Sequence, residues 1–343
     1  MPIDTTFKFG QVVTAPAGVM TPLAATSPDP RGLLAGFVGN LPLAAPGQDN
    51  PKRRWQGQGF NMIWRPNFNN KSGPKNFFLE LNETEEILDF TDITGSGKNV
   101  GIANRGALQD DILLGGIAYL QQVTDRGTGV GQHFEPGVWI NVPSTTNPTE
   151  PASVSRMGSI PHGTTINLEG VVLTAPKPFI ADTTITPFGF GSPDDGTTDL
   201  THFDEEDLTI SSTSRTSAAD VPGITRDILK NPNLLLKNAI AGQNITSTTV
   251  LIIASDPTLM PPAPHASVGG GIANIAFLSG GLATGFNANV LATTAIFWIE
   301  TVQNTDGTSF LQLQYTQRVL LNFNGLSWPH ISVATLRLQT PAE

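Results

Sequence analysis

The chain contains no cysteine. That absence removes disulfides, thiolate zinc sites, cysteine-ligated iron–sulfur clusters and cysteine nucleophiles together. Charge is scarce as well: 14% of the 343 residues are charged, against about a quarter in ordinary soluble domains. Nineteen Lys and Arg stand against 29 Asp and Glu, a formal net charge of −10. So few basic groups cannot neutralise a phosphate backbone, and nucleic acid is not an expected partner. Long apolar runs are missing too. The longest aliphatic stretch is Val250 to Ala254, far short of the roughly 18 residues of a spanning helix. Met1-Pro2-Ile3-Asp4 has neither the basic nor the apolar segment of a secretory leader. These features predict a soluble, cytoplasmic protein with no membrane partner. An acidic surface of low charge density is also compatible with homo-oligomers.

What the chain does have is turn chemistry: 35 Gly and 27 Pro, with no collagen period. Residues 1–54 are rich in Pro, Gly and Ala and read as an extended N-terminal arm lying on a domain. From Trp55 onward, β-branched and aromatic segments alternate with Gly, Asn, Asp and Pro clusters. Strands are predicted at 56–65, 75–82, 112–123, 130–142, 153–159 and 164–173, then at 271–278, 289–302, 309–323 and 330–338. Asn304-Thr305-Asp306-Gly307 predicts a hairpin turn. Between the two groups, about 175–270 reads as an insertion: a polar loop over 190–222, a short helix at 224–230, and a helix with Asn231 as N-cap and Pro232 as its first residue. The expected fold is mainly β, an antiparallel calycin-like barrel over 55–343 carrying this loop–helix insertion.

Several motifs carry no chemistry. Gly95 to Gly101 imitates a phosphate loop but lacks its spacing and its Lys-Ser/Thr pair, and reads as a flexible turn. Asp204-Glu205-Glu206-Asp207 lacks calcium-loop spacing and reads as a solvated loop. Five histidines remain: 133, 162, 202, 265 and 330. Pro329 pushes Trp328 toward an extended conformation, so His330 should open a strand at a barrel mouth or pocket wall. Its ring is either hydrogen-bonded in that wall or free to bind a ligand. His133 and Glu135 share a strand face and can pair as imidazole and carboxylate. Pro161 and Gly163 flank His162 and suggest a kink that presents its ring.

Three pieces occur in order: Trp55-Gln56-Gly57-Gln58-Gly59, His133-Phe134-Glu135-Pro136-Gly137-Val138-Trp139, and Trp328-Pro329-His330-Ile331-Ser332-Val333. Together they resemble the early, central and closing strands of the nitrobindin-like haem-binding β-barrels. This chain is about twice the length of those small barrels. The resemblance implies a b-type haem whose iron is held by His330. A porphyrin needs an apolar slot, for which His133, Met157, Phe134 and Trp64 are candidates, with Met62, Phe77, Leu79, Phe277, Phe297 and Leu313 as further lining. On the distal side, His162 and Arg156 are the candidate catalytic groups, a proton carrier and an anion stabiliser. The expected function is a haem-dependent oxidoreductase that activates O2 or peroxide on a small apolar substrate. A non-enzymatic haem or nitric oxide binder (or a peroxynitrite-converting barrel) is the alternative. An apolar-ligand carrier without haem, or a structural β protein, completes the set.

Overall fold

The computed structural model describes residues 20–23, 31–39, 52–93, 97–99, 109–147, 149–189, 204–256, 270–281 and 283–339. Ten long strands carry the fold: β1 Arg53–Pro66, β2 Phe77–Asp92, β3 Ile112–Asp125, β4 Gly131–Val142 and β5 Ser153–Ile160 in the first half. The second half supplies β6 Thr164–Ala175, β7 Asn244–Ala254, β8 Asn289–Gln303, β9 Ser309–Phe323 and β10 Leu326–Leu338. Each strand pairs antiparallel with the next in sequence, and β10 pairs back onto β1. The result is a closed ten-stranded antiparallel barrel. Closure leaves no long unpaired edge among these strands. The β8–β9 hairpin turns through Asn304 to Gly307 as the sequence suggests: Asn304 N–H bonds the Thr308 carbonyl at 2.8 Å, and Gly307 has φ +87°.

Two cores are separated by the barrel wall, because successive side chains on a strand point to opposite faces. Inside one end, Trp55, Phe90, Trp139 and Phe297 pack around a 3-10 helix, Gly32–Val38. Phe37 is fully buried there, stacked on Phe90 at 4.7 Å, and its carbonyl accepts the Trp55 indole N–H at 2.8 Å. The N-terminal arm therefore does more than lie extended on a domain. Its described part adds a two-residue strand, Thr21–Pro22, beside β6 and plugs the barrel end with this helix. Four apolar side chains in seven residues, Leu33, Leu34, Phe37 and Val38, make that burial favourable.

Outside the wall, Phe60, Met62, Trp64, Leu79, Val250, Ile252 and Trp298 form a second core with the insertion. The insertion contributes Ile180, Ile185, Ile224 and two short helices, α1 Arg226–Lys230 and α2 Asn233–Ala239. Thr225 caps α1, its side chain accepting the Ile228 N–H. Asn233 is a polar tie across this layer: it accepts the Thr316 hydroxyl at 2.5 Å and donates to the Ala181 carbonyl at 2.7 Å.

Three elements differ from the expected ones, and the outer core accounts for the first. The run Val250 to Ala254 is the end of barrel strand β7, lying inside the span expected to be insertion. Both of its faces are covered, so it reads as a continuous apolar run without alternation. Strand β2 continues to Asp92, well past the expected end at 82; along it Glu86 is buried inside while Glu85, on the other face, is exposed. Of the expected strand 271–278, only Gly271–Asn274 is extended, and Ala276–Ser279 forms one helical turn.

Candidate functional site

The end of the barrel opposite the 3-10 plug is hollow. A cavity of about 550 Å3 opens there, within the roughly 300–1,000 Å3 of ordinary small-molecule sites. Its walls are apolar: Ile63, Val123, Ile160, Val290, Val319 and Leu321. Phe277 and Leu278, on the helical turn between β7 and β8, reach its mouth, and Phe277 is largely exposed. Three imidazoles line it, those of His133, His162 and His330. The polar part of the lining includes the ion pair Arg65–Glu80 as well as Asn61, Gln121, Gln132, Thr164, Tyr315, Gln317 and Ser332.

His330 sits opposite Val319, just beyond the point where β10 leaves its pairing with β1 at Ile331. Pro329 therefore deletes no hydrogen bond to β1. The ring is enclosed by protein and keeps accessible surface only because it faces the hollow. Burial, then His133 and His162 nearby, pull its pKa down to about 3. It is neutral at any physiological pH. Neither ring nitrogen has a hydrogen-bond partner among the described residues, so a lone pair remains for a ligand.

His162 lies in the β5–β6 turn, where Gly163 at φ +102° closes the bend that Pro161 begins. Burial and neighbouring His133 lower its pKa, and the two rings stand 6.3 Å apart, centre to centre. His133 Nε2 contacts Glu135 Oε2 at 3.2 Å, the pairing that their shared strand face suggests.

Below the hollow, the barrel interior is crossed by a buried polar layer. Arg156 Nη2 donates to Glu135 Oε1 at 2.7 Å, Nη1 to Gln317 Oε1 at 2.7 Å, and Nε to Tyr119 Oη at 3.1 Å. Tyr119 Oη also donates to Glu135 Oε1. Although burial opposes ionisation, Arg156 and the hydrogen bonds hold the Glu135 carboxyl down at about 2. A second carboxyl, Glu86, contacts Tyr315 Oη at 2.6 Å and Thr84 Oγ1 at 3.0 Å. Burial dominates there and pushes its pKa up.

Four expected site residues are placed elsewhere. Arg156 is absent from the cavity lining; its guanidinium is committed to Glu135, Gln317 and Tyr119 beneath the floor. Met157 and Phe134 are partly exposed on the outside of the barrel. Trp64 faces the outer core, its indole N–H bonded to the Ile185 carbonyl at 3.0 Å. Strand parity is the reason: Asn61, Ile63 and Arg65 point in, so Met62 and Trp64 point out. Phe77 and Leu79 share that outer core, and Phe297 and Leu313 lie in the plugged end. Of the aromatic lining expected, only Phe277 reaches the cavity. The residues missed were Tyr315, Gln121, Gln317 and Glu86. Their signal was the inward parity of Leu313, Tyr315, Gln317 and Val319 on β9 and the glycine opposite Glu86.

The rejected motifs are mostly unremarkable. Gly97–Asn99 forms a short strand beside β3, and the rest of that glycine-rich segment lies outside the described residues. The acidic run differs from the expected solvated loop: Asp204–Glu206 forms a 3-10 turn, and Glu205 is buried and contacts Lys75 Nζ at 2.6 Å. His202 and His265 lie outside the described residues. No cluster of three metal-ligating side chains occurs among the described residues. No helix among them is long and apolar enough to cross a membrane.

No family model matches the sequence, and no curated protein matches it. Among solved structures, the chain is similar to the crystal structure of Rv2717c from M. tuberculosis. Identity is 13%, the TM-score 0.36, and the match covers 84% of this chain and 91% of that one.

Proposed function

We propose that this barrel is a long member of the nitrobindin-like group and holds a b-type haem, with His330 as the axial ligand to iron. One observation carries the reading: a neutral imidazole without a hydrogen-bond partner faces a cavity of about 550 Å3. Neutral imidazole is a suitable axial donor. The apolar walls suit a porphyrin, and Arg65, in contact with Glu80 at 2.8 Å, brings a cation to the lining for a carboxylate. A bound haem would supply an iron centre that takes diatomic gases and activates O2 or peroxide. His162, kept largely neutral by burial, is the residue that would accept or return a proton there.

The test is titration of the full chain with hemin, followed by visible absorption. A stoichiometric Soret band that is lost in His330→Ala is the expected result. No uptake by the wild type, or an unchanged spectrum in His330→Ala, removes the reading. A second reading, gas or haem binding without turnover, is favoured by one finding: Arg156 is unavailable to an oxidant. His162→Ala separates the two. Under the catalytic reading it leaves haem content intact and slows peroxide consumption; under the binding reading it changes only ligand kinetics.

A further inference from the structure

Three polar side chains lie side by side on the cavity wall, one inward step below His330. Gln317 on β9 stands opposite Ser332 on β10, and Ser332 stands opposite Asn61 on β1. All three line the hollow. Side chains directly opposite on antiparallel strands start about 4.5–5.5 Å apart, so the row is a compact polar stripe among apolar walls.

The direction of the Gln317 amide is fixed. Arg156 Nη1 donates to Gln317 Oε1 at 2.7 Å. A guanidinium only donates, so the end of the amide it meets is the oxygen. The Nε2 end keeps two donor hydrogens, with no partner among the described residues. Gln317 is only 8% exposed, and the hollow it lines is the space left to those hydrogens. Donation from a cation also polarises the amide and strengthens it as a donor.

Its neighbours repeat the pattern. The Ser332 hydroxyl makes no hydrogen bond among the described residues. Asn61 is 5% exposed, and its Oδ1 is closed off and unpartnered, which turns the Nδ2 end toward the cavity. Interior donors are costly to leave unmade; what this row lacks is an acceptor. Charge selects the kind. Arg156, the cation behind the row, already meets Glu135 at 2.7 Å. An anion bound against the row would be buried without a counter-charge, whereas a neutral oxygen would not.

We propose that Gln317, Ser332 and Asn61 form a subsite for a neutral carbonyl oxygen, carried by a small, largely apolar ketone, aldehyde or ester, with Gln317 as the principal donor. The inference goes beyond the haem reading and does not depend on it. That reading rests on His330 and this one on Gln317, so each can fail alone.

The probes are 2-acetylnaphthalene and 2-ethylnaphthalene, which differ in the carbonyl, each titrated calorimetrically into the full-length haem-free protein. Wild type is expected to bind one equivalent of the ketone, about threefold to tenfold more tightly than the hydrocarbon, as one or two neutral hydrogen bonds allow. The infrared carbonyl stretch of the bound, 13C-labelled ketone should lie below its position in alkane. Gln317→Glu keeps the oxygen that Arg156 needs and exchanges only the donor nitrogen for an acceptor. It should erase the preference for the ketone and return the stretch toward its alkane value, with hydrocarbon binding little changed. Ser332→Ala, at a half-buried position, should reduce both effects, and it carries the test if Gln317→Glu does not fold. Equal affinity of the wild type for the two probes overturns the proposal, as does failure to bind the ketone. An unchanged preference and stretch in the folded variants overturns it too.

Discussion

Gly59 and Glu86 compete for one space inside the barrel. A side chain on Gly59 would put its Cβ 2.5 Å from Glu86 Oε1 and 2.5 Å from the Val333 carbonyl oxygen. The carboxyl end of Glu86 could shift; the backbone of β10 cannot do so cheaply. The second glycine of Trp55-Gln56-Gly57-Gln58-Gly59 is therefore a vacancy kept for a buried acid, and the motif has a physical reason in this chain.

Gly59→Ala should consequently destabilise the fold by about 1–3 kcal/mol, the range for overpacking a filled interior. The urea midpoint is expected to fall with little change in slope. A wild-type midpoint would show that Glu86 moves aside freely.

Phe37→Ala tests the plug. Its ring is fully buried against Phe90, Trp139 and Phe297. A loss of about 3–5 kcal/mol is expected, read as a lower thermal midpoint. A loss below that range would mean the 3-10 helix is dispensable to the closed barrel.

Arg156→Met leaves Glu135 buried without its cation, a change that costs about 3–5 kcal/mol when a buried pair is broken. Adding Glu135→Gln should recover part of that loss, and a double-mutant cycle measures the coupling. Additive effects would mean that the 2.7 Å contact carries no energetic coupling.

The acid limb of stability should begin near neutral pH. His330 is held at about 3 against 6.5 for a free imidazole, and Glu135 at about 2 against 4.5. Both values are depressed, so the unfolded chain binds the extra protons. Stability is full above 6.5 and falls as pH drops, through His330 first and Glu135 below 4.5. His330→Leu is expected to flatten the upper part of that loss in denaturant titrations across the interval. An unaltered slope would contradict the neutral buried imidazole.

Glu300 acts in the other direction. It is fully buried under Gln312, which donates to it at 2.7 Å, and burial pushes its pKa up to about 7. A raised carboxyl favours the folded state below the ordinary value of 4.5, and that contribution is lost as pH rises through about 7. Glu300→Gln should thus stabilise the protein above pH 7 by on the order of 1–3 kcal/mol and leave it little changed at low pH. Equal stability of the two proteins at alkaline pH would rule this out.

Much of the barrel was legible because strand, turn and breaker signals are local. The Asn304 to Gly307 hairpin and the helix after Asn231 needed only neighbouring residues, although Pro232, not Asn231, stands at the helix N-cap and the Asn231 side chain bonds Thr183 and Asp182 instead. Strand β7 was not legible: a strand buried on both faces loses its alternation, and Val250 to Ala254 then looks like any apolar run. Trp64, Phe134 and Met157 were misplaced for a related reason. Choosing large apolar side chains finds buried positions, whereas an interior cavity is reached only by one parity of each strand.

By itself the sequence determined the chemical inventory and the class of fold. It excluded cysteine chemistry, placed His133 and Glu135 on one face, and put His330 in the closing strand, which begins at Leu326 rather than at His330 itself. Tertiary structure decided what those groups meet. Closure of ten strands brought the chain's two tyrosines, Tyr119 and Tyr315, into one buried layer with Glu86, Glu135 and Arg156, although they are far apart in sequence. Only that closure removes the carboxyls from water: burial pushes the Glu86 pKa up, whereas Arg156 holds that of Glu135 down. No local pattern encodes it, because the partners come from strands that register alone places side by side.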